Sequence, residues 1–163
     1  VMNRPDCGSL ASEPAPAVRS KPHSHPIHAR QAMFTSAHLR VLLVEDNAIN
    51  RAVASRMLSR LGLTPDICQD GSEAVERAAR QPYDLILMDV QMPNMDGVEA
   101  TYRIRALERS HRSVRIVAVT ANTMDETRNA CHRAGMDGFL AKPFTLEDLA
   151  GTLRRLFTPA ARG

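Results

Sequence analysis

From residue 39 onward, short apolar runs alternate with segments of helical spacing. The runs are Leu39–Val44, Asp66–Gln69, Asp84–Asp89, Arg115–Thr120 and Gly138–Ala141. Three of them are apolar at consecutive rather than alternate positions, the pattern of strands covered on both faces. Between them, segment 48–61 puts Val53, Met57, Leu58 and Leu61 on one helical face, with Gly62 placed to end the helix. Segment 145–157 carries a stripe of Leu146, Leu149, Leu153 and Leu156. It opens with Thr145 and, three residues later, Asp148, a capping box with a shorter acid than the usual Glu. Segments 71–80, 97–108 and 122–134 complete the helical set, the last with few large apolar residues. A βα unit repeated five times in about 120 residues predicts an α/β sandwich, a parallel sheet with helices on both faces.

Composition changes this picture only at the N-terminus. Residues 1–40 hold five of the ten prolines (Pro5, Pro14, Pro16, Pro22, Pro26), four of the six histidines, and five Lys/Arg against Asp6 and Glu13. The basic character of the chain belongs to that segment, because residues 41–163 balance 16 basic against 16 acidic side chains. A nucleic-acid role, which needs charge gathered on one folded face, is therefore not expected. Residues 1–38 lack periodicity and cannot bury enough apolar surface to offset their ordering entropy, so they read as a disordered tail or linker. The domain reading is a tail over 1–38, a folded domain over 39–158 and a short tail over 159–163. Met33, between the tail and the ordered pattern, is an alternative to Val1 as the start of translation.

The run VLLV at 41–44 is too short for a membrane span or a signal-peptide core. Cys7, Cys68 and Cys131 form an odd set without CxxC spacing, which points to reduced thiols and a cytoplasmic setting. Cys68 reads as a core residue of the second strand, and Cys131 as an unreactive thiol on the fourth helix. His23, His25 and His28 have metal-ligand spacing, but a solvated linker is the expectation for them. Arg103, Arg105, Arg109, Arg112 and Arg115, interspersed with Glu99 and Glu108, read as a solvated helix face and loop.

Candidate chemistry sits at the strand ends. The first strand ends in Glu45-Asp46, the third in Asp89, the fourth in Thr120 and the fifth in Lys142-Pro143. In open parallel sheets, ligands bind beyond the carboxyl ends of the strands. Three carboxylates, a hydroxyl and an ammonium thus converge on one rim. Two carboxylates about 4 Å apart repel by ~4 kcal/mol at an effective dielectric near 20. A hard divalent cation relieves this, and Mg2+ is the usual one where phosphate chemistry follows.

The strings VLLVEDNAINRAVA, DLILMDVQMPNMDG, VAVTANT and GFLAKP resemble the receiver domain of two-component response regulators across residues 39–157. DNxxN and TANT are similar to the hybrid sensor histidine kinase subgroup. The resemblance implies a flavodoxin-like (βα)5 doubly wound fold with strand order 2-1-3-4-5. It implies Asp89 as the phosphorylated residue, and Mg2+ held by Glu45, Asp46, Asp89 and the backbone carbonyl of Gln91. Lys142 would pair with a phosphoryl oxygen. Thr120 and Phe139 would be the switch residues, Gln91 and Asn122 would tune the phosphoryl lifetime, and Lys142-Pro143 would be a cis peptide.

The implied partners are a sensor histidine kinase or a histidine phosphotransfer protein, with a downstream partner docking on the fourth helix, fifth strand and fifth helix. No output domain is expected in this chain, and no enzyme activity beyond its own phosphorylation and dephosphorylation. A haloacid-dehalogenase-type phosphatase would need a second Asp two residues after the nucleophile, where Gln91 stands. A free-standing receiver and a piece of a hybrid kinase both fit the sequence.

Overall fold

The computed structural model describes residues 39–107 and 113–158. The expected tails, the histidines at 23, 25 and 28, Cys7, Arg109 and Arg112 lie outside these residues. Five strands and five helices alternate: β1 (Val41–Val44), α1 (Ala48–Arg60), β2 (Pro65–Cys68), α2 (Gly71–Arg80), β3 (Leu85–Asp89), α3 (Gly97–Ala106), β4 (Arg115–Thr120), α4 (Asp125–Ala134), β5 (Gly138–Ala141) and α5 (Leu146–Phe157). The sheet is parallel with order β2-β1-β3-β4-β5, as the resemblance implied.

The consecutive apolar residues of the strands divide by parity between two cores, as side chains alternating across a pleated sheet require. Leu42, Val44, Ile86, Met88, Ile116 and Ala118 face α2, α3 and α4, where they meet Ala74, Ala78, Ala100, Ile104 and Cys131. Val41, Leu43, Leu85, Leu87, Val117 and Val119 face α1 and α5, where they meet Ala54, Leu58, Leu149 and Leu153. Burial follows the expected stripe closely in α5 and only partly in α1. Val53, expected inside, is 47% exposed, and Ala54 takes the core position beside it. Val53 and Ile49, one turn earlier, instead leave an apolar stripe on the surface.

Helix ends are set by local chemistry. Asn47 caps α1, its side chain accepting from the N–H groups of Ile49 and Asn50. Gly62 follows that helix in the left-handed region. Thr145 and Asp148 form the expected capping box on α5. The fourth helix starts at Asp125, three residues later than its pattern suggested, because Asn122 turns its side chain onto the Met124 N–H instead. No side chain caps α4, and only Cys131 and Ala134 of it are buried.

One member of the basic run, Arg105, is not on a solvated face, while Arg115 is exposed as expected. Arg105 donates to the carbonyls of Gly135 and Val114 and to Asp137, and Arg115 donates to the other oxygen of Asp137. This network ties the end of α3 to the turn between α4 and β5. Among the described residues, no helix is long and apolar enough to cross a membrane.

Candidate functional site

The register aligns the strand ends. Val44 pairs with Met88, so the next residues, Glu45 and Asp89, leave the sheet at one level. Thr120 ends β4 beside Ala141, and the Lys142 N–H donates to the Thr120 carbonyl at 2.8 Å. Side chains far apart in sequence therefore meet on this rim. The Lys142 Nζ donates to Glu45 Oε2 and to Asp89 Oδ2, each at 2.7 Å. The other oxygen of Asp89 accepts the Gln91 N–H at 3.0 Å. Glu45 and Asp89 are buried, at 3% and 4% exposure, while Asp46 is exposed. Each of the three carboxylates offers an oxygen within 4.8 Å of the others.

Close packing beneath Asp89 depends on Gly97. A Cβ there would lie 2.2 Å from the Asp89 carbonyl oxygen, so only glycine lets α3 begin this near the end of β3. Asp96 caps that helix, its carboxylate accepting from the Glu99 N–H. The Lys142-Pro143 peptide is cis, as expected.

Burial pushes the Asp89 carboxyl above its ordinary range, and the charge of Glu45 adds to the rise. The hydrogen bonds from Lys142 and Gln91 oppose it without overcoming it. For Lys142, burial alone would weaken the ammonium, but its hydrogen bonds to Asp89 and Glu45 hold it above its ordinary value. Two buried carboxylates thus share a single ammonium. With Asp46 added, three negative charges face one positive charge across a set of hard oxygen donors. That set fits a hard divalent cation such as Mg2+, which would supply the missing positive charge.

The remaining expected residues differ in burial and in their partners. Thr120 is fully buried and its hydroxyl accepts the Asn122 N–H at 3.0 Å. Phe139 on β5 is half-buried, with the Arg128 guanidinium 4.4 Å from its ring centre. The Asn122 side chain is engaged with the Met124 N–H at the start of α4. Gln91 is exposed.

The structural roles of Asn47, Asn50 and Arg51 escaped the sequence reading, which used the two asparagines only as part of the DNxxN resemblance. Glu45 Oε1 accepts Asn50 Nδ2 at 3.1 Å and the Asn47 N–H at 3.3 Å. Arg51 Nη1 donates to the backbone carbonyls of Glu45 and Asp46 at 2.9 and 3.1 Å. The motif DNAINR contains all three, and the available signal was that a buried strand-end Glu needs donors from the turn that follows.

The response regulator receiver domain family matches residues 41–154. The hybrid signal transduction histidine kinase K of Dictyostelium discoideum is 39% identical over 131 residues, covering 77% of this chain and 11% of that protein. The peroxide stress-activated histidine kinase mak1 of Schizosaccharomyces pombe is 45% identical over 115 residues, covering 68% of this chain and 7% of that protein. The chain thus spans only a small part of these curated relatives. Among solved structures, the receiver domain of a Pseudomonas aeruginosa PAO1 sensor histidine kinase, with a magnesium ion coordinated in its active-site cleft, is similar. It is 45% identical with a TM-score of 0.68, covering 74% of this chain and 98% of that one. The chemotaxis protein CheY4 of Vibrio cholerae is 32% identical with a TM-score of 0.70, covering 74% of this chain and all of that one. With a family model matching most of the described residues and these relatives alongside it, the chain belongs to the response regulator receiver domain family.

Proposed function

We propose that this chain is a phospho-acceptor signalling switch in which Asp89 takes a phosphoryl group from a phosphohistidine donor. One observation carries the reading. A buried carboxylate stands at a strand end, held by a lysine that is shared with a second buried carboxylate, with a third carboxylate exposed alongside. Asp46, Asp89 and the backbone carbonyl of Gln91 would hold Mg2+ directly, and Glu45 would hold it through water. When bound, Mg2+ offsets negative charge on the transferring phosphoryl oxygens.

The carboxylate of Asp89 attacks phosphorus in line. A P–O bond to Asp89 forms as the P–N bond to the donor imidazole breaks, and the electron pair of that bond leaves on the imidazole nitrogen. No general base is required, because Lys142 and the Gln91 N–H keep the ionised carboxylate partnered. Lys142 then moves from the carboxylate to a phosphoryl oxygen, and the Thr120 hydroxyl donates to another. Phe139 follows Thr120 as the switch aromatic, carrying the change to α4, β5 and α5, where a downstream partner docks. Gln91 and Asn122, on the loops flanking the site, tune how long the acyl phosphate survives.

The donor protein must cover the rim to bring its imidazole to Asp89. The surface there suits it. Val53, 47% exposed, lines a cleft of about 470 Å³ together with Lys142, Pro143 and Phe144, and Ile49, one helical turn earlier, is 75% exposed. A sensor histidine kinase or a histidine phosphotransfer protein, in the cytoplasm, is the donor we assign. The chain acts as an enzyme only on its own phosphoryl group.

The test is incubation with acetyl phosphate or a phosphohistidine donor, with and without Mg2+, followed by intact mass. The expected gain is one phosphoryl group (~80 Da, from the acyl-phosphate chemistry), dependent on Mg2+ and absent from Asp89→Asn. A folded, Mg2+-binding protein that gains nothing from either donor would instead be a phosphorylation-independent binding module.

A further inference from the structure

Glu45 is a buried carboxylate with every visible contact made to a donor from the protein. Lys142 holds Oε2, and Asn50 Nδ2 with the Asn47 N–H holds Oε1. An ionised carboxylate only accepts, so the Asn50 amide must present its NH2 group to it. The two halves of this arrangement differ in permanence. Lys142 is shared with Asp89, and a phosphoryl group on Asp89 would draw the ammonium away. Asn50 and the Asn47 N–H belong to the turn and first helical residues directly after Glu45, and nothing in the reaction displaces them. They remain when the lysine leaves.

We propose that Asn50 is a positioning residue for the acidic rim, fixing the Glu45 carboxylate so that it serves Mg2+ and tolerates the departure of Lys142. The inference rests on the phospho-acceptor reading and adds a residue to it. The physical need is specific. With its rotamer free, a Glu at a strand end could swing toward Asp46 or Asp89 or out to solvent, and the metal would have to pay for ordering it. An amide donor on Oε1 sets the rotamer beforehand, so less affinity is lost to ordering. Arg51 complements this on the backbone, holding the Glu45 and Asp46 carbonyls and hence the turn that presents both acids.

Asn50 suits a clean test because it is exposed on a helix, where alanine is the better helix former. Asn50→Ala is therefore expected to fold, the gain in helix propensity offsetting part of the lost hydrogen bond to Glu45 in the absence of metal. A purely structural role would leave Mg2+ affinity unchanged in such a variant. A positioning role predicts an affinity about tenfold weaker, the low end of what the loss of such a supporting group costs.

The experiment is calorimetric titration of Mg2+ into the full chain and into Asn50→Ala, with thermal unfolding of both in EDTA. Weakened Mg2+ binding in a variant that is fully folded at the titration temperature supports the inference. Equal Mg2+ affinity in the two proteins overturns it and leaves the phospho-acceptor reading standing. A parent chain that binds no Mg2+ would instead count against that underlying reading. The titration contains no partner protein, so a contact between Asn50 and a docking partner cannot produce the expected result.

Discussion

Lys142 bridges residues that lie 97 and 53 positions away in sequence, and both of its carboxylate partners are nearly inaccessible. Removing it leaves two buried negative charges facing each other, a loss that costs about 3–5 kcal/mol when a buried pair is broken. Lys142→Met is therefore expected to lower stability in urea unfolding without metal by an amount toward the lower end of that range, since Asn50 and Gln91 still support the carboxylates. Saturating Mg2+ should restore more of the loss than it adds to the parent, because a cation takes over the compensation. Equal gains in both proteins would show that the lysine and the metal do not answer the same charge excess. At this scale the sequence was most informative where a charged residue ends an apolar strand. Glu45, Asp46, Asp89 and Lys142 stood out for that reason. Asn50 did not, since an Asn on an exposed helical face has no burial signature and its partner is known only once the turn is built. Arg105 misled for the converse reason: Asp137, which holds it, comes from another part of the chain.

The helices differ in how they are held at their ends. In the capping box of α5, the Asp148 carboxyl is kept below its ordinary value by the backbone N–H of Thr145 and then by the Thr145 hydroxyl. A carboxyl depressed in the folded state contributes stability above its unfolded value, about 3.9, and loses it as pH falls through the folded value. Asp148→Asn should therefore lower the thermal midpoint at pH 7, with the difference shrinking as pH falls below about 4. A difference that persists unchanged at pH 3 would show that the charge is not involved. The fourth helix has neither a side-chain N-cap nor a large apolar face. Its amides over 125–130 are expected to exchange faster than those of α1 and α5, while its C-terminal end, next to the Arg105 network, is protected better. Loading a phosphoryl mimic should alter protection across 122–145, and unchanged protection there would count against this face as the docking surface. Element type and order could be read from periodicity because spacing is local. The start of α4 could not, since the competition between helix and turn at Asn122 is decided by which backbone N–H its side chain captures.

For the molecule as a whole, the metal is a stability ligand as well as part of the chemistry. A cation that binds only the folded state at a hundred times its dissociation constant adds about 2.7 kcal/mol. Thermal unfolding should thus shift upward with Mg2+ and not with an equal ionic strength of NaCl. Asp46→Asn, at an exposed position, is expected to lose most of that shift while changing the metal-free midpoint little. A full shift in this variant would remove Asp46 from the metal site. The sequence by itself determined the alternation of strands and helices, the burial of the sheet on both faces and the four charged residues of the rim. Each of these is written in the spacing of apolar residues or in a charge placed at the end of an apolar run. Only the tertiary structure decided that one ammonium serves two carboxylates, that Asn50 holds one of them, that Ala54 rather than Val53 enters the core, and that Gly97 must lack a side chain against the Asp89 carbonyl. Those outcomes depend on strand register and on how closely neighbouring elements approach, quantities that arise only when distant parts of the chain meet.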